Sequence, residues 1–334
     1  MSIALRKKGA TVLIAERGQP GREASYAAGG MLVDCLSETP AALQPLATAS
    51  ARMYPEFVDE LQLESEMNVD LRDQGTILIP SDTHASDSEL QAATLPAPLA
   101  EFEPALTQLN RQAFYLRERS VDPRALTAAA LQTAKRRGVD ISSGEEVIKI
   151  NLSDVRVSGI TTKKTIFNAP KVVNCAGAWS GQIAPHAFPT RPVKGQMLCQ
   201  LSPSRNLLKH VIRSPEIYLI PRSDGRILAG ATVEEAGFDK RTDIVTIQRL
   251  HQAAISLVPK LRNAKIHEDW AGLRPGTPDA LPILGATQTP GYYVATGHFR
   301  DGILLAPITA QVMAEVITGT ECNHDLGAFS PQRF

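Results

Sequence analysis

Apolar and polar positions alternate along this chain in short blocks of two kinds. Residues 2–8 read as the tail of a helix stopped by Gly9. Ala10-Thr-Val-Leu-Ile-Ala15 is an apolar, β-branched run that predicts a fully buried strand, and it closes on Glu16-Arg17-Gly18. A mixed pattern over residues 43–62 predicts a helix, and Gly75-Thr-Ile-Leu-Ile-Pro80 a strand. Residues 81–98, rich in Ala, Ser, Asp and Pro, are expected to form surface helix and loop. The clearest helix runs from Asp122 to Gly138: Asp122 can cap it, Pro123 suits its first turn, basic residues sit at its negative end and Gly138 stops it. Strand-like segments follow at 139–141 and 146–150, a hairpin-like stretch at 158–167, and a buried strand in Ala169-Pro-Lys-Val-Val-Asn-Cys175. Segments 191–198, 216–221 and 226–230 read as a second, antiparallel sheet. Residues 303–317 form one apolar block, a buried helix.

Composition narrows the class. A chain of 334 residues, 43% hydrophobic and 21% charged, has room for two lobes with substantial cores. Lys+Arg and Asp+Glu are equal at 35 each, so neither a nucleic acid nor a charged membrane surface is expected as partner. No apolar run approaches the ~18–20 residues that span a bilayer. The first residues carry their charges after the apolar positions, unlike a signal peptide. Cys35, Cys175, Cys199 and Cys322 are scattered, with no metal-ligand spacing, which fits reduced thiols in a cytoplasmic protein.

Candidate chemistry concentrates in two stretches, Trp270-Ala-Gly-Leu-Arg-Pro-Gly-Thr-Pro-Asp279 and Gly297-His-Phe-Arg-Asp-Gly-Ile-Leu-Leu-Ala-Pro307. Each sets one arginine, Arg274 or Arg300, among glycines and apolar residues. A guanidinium in a dry pocket grips a carboxylate bidentately. The bland alternative is a pair of buried salt bridges to Asp269, Asp279 or Asp301. Helix, strand and closing acid are also how the first half of a dinucleotide-binding βαβ unit ends, with the acid about 20 residues after the first glycine of its phosphate loop. Counting back from Glu16 overshoots Met1, so the first strand and that loop are expected upstream and the chain is expected to be N-terminally shortened. Glu16 taken alone also fits the end of a surface strand. Ser25-Tyr-Ala-Ala-Gly-Gly-Met31 is dense in small residues that let backbone approach a phosphate or ring edge, or is a plain glycine-rich loop.

These segments, with Val172-Val-Asn-Cys-Ala-Gly-Ala-Trp179, Pro192-Val-Lys-Gly-Gln-Met-Leu198 and Ile217-Tyr-Leu-Ile-Pro-Arg222, resemble the D-amino-acid oxidase superfamily. The resemblance is strongest to its bacterial glycine oxidase branch of thiamine biosynthesis, and it spans nearly the whole chain. It implies an α/β fold: an FAD-binding Rossmann-like lobe (residues 1–45, 117–188 and 268–334), its first strand and glycine loop absent, interleaved with an antiparallel β-rich substrate lobe (46–116 and 189–267).

It further implies that Arg274 pairs with the substrate carboxylate, Tyr218 hydrogen-bonds the same group, and Arg300 and Met31 adjoin substrate and flavin. Glu16 would hold the adenosine ribose and Val147 reach the adenine. Arg17, Ser25, Ala27, Ala28, Gly30, Ala176, Gly177, Trp179, Asp301, Gly302 and Ile303 would line the cofactor. His298 is expected to pack beside the site, since oxidation through hydride departure needs no strong base, and no metal is implied. Asp301 stands where asparagine is the commoner residue, and it either pairs with Arg300 or faces outward. The implied reaction converts glycine or another small amino acid to the imino acid while oxygen becomes hydrogen peroxide, in a cytoplasmic enzyme that can form tetramers. A sarcosine or D-amino-acid oxidase or dehydrogenase is the nearer alternative. A truncated remnant unable to hold FAD is the more distant one.

Overall fold

The computed structural model describes residues 1–34, 39–80, 95–96, 98–106, 109 and 111–334. Cys35 and most of the 81–98 segment therefore lie outside the described residues. In chain order the first part comprises α1 (Ser2–Lys7), β1 (Leu13–Glu16), α2 (Ala24–Ala27), β2 (Met31–Leu32), α3 (Gln44–Ser65), β3 (Leu71–Arg72), β4 (Thr76–Leu78), β5 (Leu95–Pro96), α4 (Leu99–Phe102), β6 (Phe114–Leu116), β7 (Arg119–Val121) and α5 (Pro123–Arg136). Then come β8 (Asp140–Ser143), β9 (Val147–Ser153), β10 (Arg156–Thr162), β11 (Ile166–Asn168) and β12 (Val172–Asn174). The last part holds β13 (Arg191–Leu201), β14 (Val211–Arg213), β15 (Tyr218–Pro221), β16 (Arg226–Gly230), α6 (Ile244–Leu257), β17 (Lys265–Gly276), β18 (Ile283–Ala286), β19 (Tyr292–Thr296) and α7 (Ala306–Thr318).

The largest sheet has the order β17-β13-β16-β15-β14-β4-β6-β5, antiparallel except at the β14–β4 pair. Its β13–β17 ribbon pairs Val193 with Arg274, Gly195 with Gly272 and Met197 with Trp270. Side chains alternate across a strand, so those six residues share one face. Leu198 lies on the other face, in a core with Ile247, Leu250 and Ala254 of α6. Trp270-to-Gly276 is thus part of a long strand, and β17 runs across the boundary expected at 267/268.

Outside the large sheet, the described strands pair in parallel in two separate patches, β1 with β8 and β12 with β19, the latter extended antiparallel by β18. The expectation of a fully buried first strand is corrected: Leu13 is exposed and the rest of β1 only half-buried. Among the described residues β1 has one strand neighbour, β8, and a strand paired on one edge keeps surface that a second neighbour would cover. The helix predicted over 303–317 begins three residues later. Residues 302–305 form a turn pinned by α3, where Ser50 Oγ donates to Leu304 O at 2.6 Å and Tyr54 Oη donates to Ile303 O. Helices α1, α3, α5 and α7 share one core built on Leu5, Tyr54, Val58, Leu126, Ile308 and Val312.

The capping signal at α5 is realised. Asp122 Oδ1 accepts from the backbone of Arg124 (2.9 Å) and Ala125 (3.3 Å), while Oδ2 takes Arg226 Nη2 at 2.7 Å. One buried carboxylate thereby ties α5 to the large sheet. Asp122→Ala removes a cap and the buried one of Arg226's two carboxylate partners, leaving only Asp224 at 2.7 Å, and is expected to cost about 2 kcal/mol in urea unfolding. Asp239→Ala, which breaks a solvent-exposed pair with Arg241, is expected to leave the urea midpoint close to the parent's.

Candidate active site

One cavity of about 1100 Å³ runs between the ends of β1 and β12 and the Arg274 face of the large sheet. Glu16, Arg17, Ser25, Ala27, Ala28, Gly30, Met31, Val147, Ala176, Gly177, Trp179, Tyr218, Arg274, Arg300, Asp301, Gly302 and Ile303 all line it. The structure therefore brings every residue singled out by sequence into a single space. It adds residues the sequence reading left out. Gly195, Met197 and Ile217 sat inside motifs already noticed and Ile79 and Pro80 in a predicted strand, whereas the rim at residues 213–215 carried no local signal.

Arg274 rises from β17 and lays its guanidinium across the neighbouring strand. A Cβ on Gly195 would stand 2.4 Å from both Nη1 and Nη2. Diagonal neighbours in an antiparallel pair are within reach of a long side chain, and only glycine leaves room for this one to lie flat. Nη1 donates to Thr232 O at 3.1 Å and to Lys194 O at 3.4 Å. Burial pulls its pKa below the usual arginine value, with Arg300 adding to the effect and Tyr218 opposing it. No carboxylate among the described residues pairs with it. Asp279 is taken by Arg333 at 2.7 Å, which removes one of the internal partners considered above. Beside it, Tyr218 Oη lies 3.8 Å from Met197 Sδ, and burial keeps the phenol protonated well above its ordinary range.

The far wall is the turn before α7. With the carbonyls of Ile303 and Leu304 held from behind by α3, the amides of Gly302, Ile303 and Leu304 have no acceptor among the described residues. Such N–H groups at a helix start suit an electron-rich ligand atom. His298 packs behind this turn with Nε2 3.1 Å from Thr309 Oγ1, and burial pushes its pKa down to about 4, so the ring is neutral. Asp301 does not pair with Arg300. It is half-buried on the cavity wall, its carboxyl has no hydrogen bond or ion pair among the described residues, and burial raises its pKa to about 6 against the pull of Arg300.

At the opposite end Arg17 lies 3.7 Å above the Trp179 ring, which packs on Phe238 at 5.1 Å, and Arg17 pairs with Glu23 at 3.1 Å. Glu16 Oε1 caps its own turn through Gly18 N at 2.9 Å, leaving the other oxygen for a ligand hydroxyl. Cavities for small ligands run to roughly 1000 Å³. A longer one with a carboxylate at one end, unpaired amides at the other and glycine-lined walls between fits an extended dinucleotide with a flat ring.

Comparison with known proteins agrees with this donor set. The profile of the family described as FAD dependent oxidoreductase matches residues 2–316. The chain belongs to that family. It is 32% identical over 348 residues to the bifunctional protein ThiO/ThiG of Trichormus variabilis, covering all of this chain and 53% of that protein, so it spans about half the length of that relative. It is 29% identical over 346 residues to a glycine oxidase of Pseudomonas putida, covering 98% of this chain and 93% of the other. The crystal structure of glycine oxidase from Geobacillus kaustophilus superposes with a TM-score of 0.93 at 29% identity, covering 100% of this chain and 95% of that one. The chain thus has a mixed α/β fold of the kind seen in glycine oxidase and belongs with the FAD dependent oxidoreductases. No helix among the described residues is long and apolar enough to cross a membrane.

Asp301 gives the site a pH signature. Its folded pKa lies above the unfolded value, so between about pH 4 and 6 the unfolded chain releases a proton that the folded chain keeps. Stability of the ligand-free flavoprotein therefore falls as pH rises through that window. Asp301→Asn is expected to raise the melting temperature relative to the parent at pH 7.5, with little difference at pH 4.

Proposed function

We propose that this flavoprotein oxidises glycine or a similarly small amino acid to the imino acid, with oxygen as electron acceptor, and that the product feeds thiamine thiazole assembly. The observation that carries the reading is Arg274: a half-buried guanidinium, pre-placed by Gly195 and two carbonyls, with no carboxylate partner among the described residues. A substrate carboxylate supplies the missing counter-charge. Tyr218, protonated and beside the guanidinium, donates to the same group. Met31, Met197 and Tyr218 pack in one cluster next to it, which favours a substrate with little or no side chain.

In this reading Glu16, Arg17, Val147 and Trp179 hold the adenosine end of FAD, and residues 25–31 and 300–303 hold the flavin. When bound, FAD would take up the two electrons that leave with the α-carbon hydrogen as the carbon–nitrogen single bond becomes an imine and the nitrogen gives one proton to solvent. The chain's own contribution is to orient and exclude. Arg274 and Tyr218 fix the carboxylate end and so present the α-carbon in one pose, converting encounter into positioning. No residue is called on as a strong base. His298 is neutral and its Nε2 engaged by Thr309, so the amine must arrive neutral or lose its proton to solvent.

Anaerobic addition of glycine to the FAD-loaded chain is expected to bleach the visible flavin band. Bleaching by sarcosine or a larger D-amino acid but not by glycine would move the substrate assignment, and failure to bind FAD would remove the enzymatic reading. Gly195→Ala forces the Arg274 guanidinium from its seat. It is expected to raise the KM for glycine by at least about tenfold, the equivalent of ~1.4 kcal/mol, with the cofactor still bound.

A further inference from the structure

The Ile217–Arg222 motif ends in a residue that the proposed reaction does not use. Arg222 is 1% exposed, the largest fully buried side chain of the described residues. Its Nη2 donates to Gly29 O at 2.6 Å, while Nε and Nη1 have no acceptor among the described residues. It borders a small space of about 10 Å³ walled by Asp122, Arg226 and Glu268, which is the size of one water and polar enough to hold it. Burial lowers its pKa to about 10, with Asp122 and Asp70 pulling upward, so the guanidinium stays charged at neutral pH.

The acceptor matters more than the burial. Gly29 O belongs to the same peptide unit as Gly30 N–H, and that bond is trans. In a planar trans peptide the C=O and N–H point in opposite directions. With the oxygen drawn back to Arg222, the Gly30 N–H faces the other way, and it has no acceptor among the described residues. Gly30 lines the main cavity. The unit cannot rotate freely: Gly30 sits at φ +78°, where a Cβ would meet Val121 O at 2.1 Å, and Val121 N donates to Gly30 O at 2.8 Å. The carbonyls just before it are also held from behind, Ala27 O by Trp270 Nε1 at 3.0 Å and Tyr26 O by Arg124 Nε at 3.3 Å. Only at Gly29 is the tie both cationic and buried.

We propose that Arg222 is a positioning residue for the cofactor. Its guanidinium polarises the Gly29–Gly30 peptide and turns the Gly30 N–H into a strengthened donor to an electron-rich edge of FAD in the cavity. Hydrogen bonds in series strengthen one another, and a charged donor at one end increases the effect. Reduction adds electron density to the cofactor, so this donor favours the reduced form over the oxidised one. Arg222 thereby acts on the redox equilibrium without touching cofactor or substrate.

The test is a reductive titration of the FAD-loaded chain with dithionite against a reference dye, which needs no substrate and so stands whatever the amino acid proves to be. Arg222→Met is expected to shift the reduced-to-oxidised ratio about tenfold toward the oxidised form, or roughly 30 mV for a two-electron couple. Arg222→Lys, which keeps the charge, should recover most of that shift. Arg222→Gln, which keeps a donor without charge, should not. If Met at 222 abolishes cooperative melting, the Lys and Gln variants are read in the same way. Variants that lower melting temperature or FAD affinity while the Lys and Gln potentials equal the parent's would overturn the proposal and leave Arg222 as core filling alone.

Discussion

The site depends on one steric allowance, a guanidinium lying flat on a strand that has no side chain beneath it. Val193 faces Arg274 directly and Gly195 is its diagonal neighbour, so the register of the β13–β17 ribbon decides where the charge can go. A register slip of one residue would send Arg274 to the α6 face and into a hydrocarbon core. Opposite Gly195 stands Gly272, where a Cβ would come within 2.4 Å of Ala27 Cβ. The same pair of glycines therefore seats the arginine and lets the 25–31 loop close against the sheet.

A second theme is the direction of peptide groups. In the 25–31 loop and again at 302–305, carbonyls are bound from behind by side chains of other elements, and amides are left toward the cavity. Fixed dipoles of this kind offer donors to a ligand without adding formal charge, and they need no reorganisation when the ligand arrives. Around Arg274 and the 300–303 turn the charges lining the cavity are distinct in kind: Arg274, seated and with no carboxylate partner among the described residues; Arg300; and Asp301, its pKa raised to about 6 by burial.

Features coded locally were legible from the sequence. Asp122, Pro123 and Gly138 mark α5 almost to the residue because a cap, a first-turn proline and a left-handed stop each act within a few positions. The site residues were legible as a set because two glycine- and arginine-bearing motifs and a small-residue loop are unusual in composition. What depended on distant partners was not. The exposure of β1 follows from having one strand neighbour. The late start of α7 follows from Ser50 and Tyr54 on α3. The strand character of β17 comes from eleven paired positions on β13, not from its own proline- and glycine-containing sequence. The importance of Gly195 and Arg222 lies in what they touch, nearly 80 and 200 positions away.

Arg274 stands ready for a ligand carboxylate. The most direct measurement is a titration of the FAD-loaded chain with glycolate and, separately, with glycolamide, following the flavin spectrum. The two are matched in size, and only glycolate is charged at pH 7.5. Saturable perturbation by glycolate with little or none by glycolamide is the predicted result. Equal responses to both, or a glycolate response that persists at full strength in Arg274→Met, would contradict it.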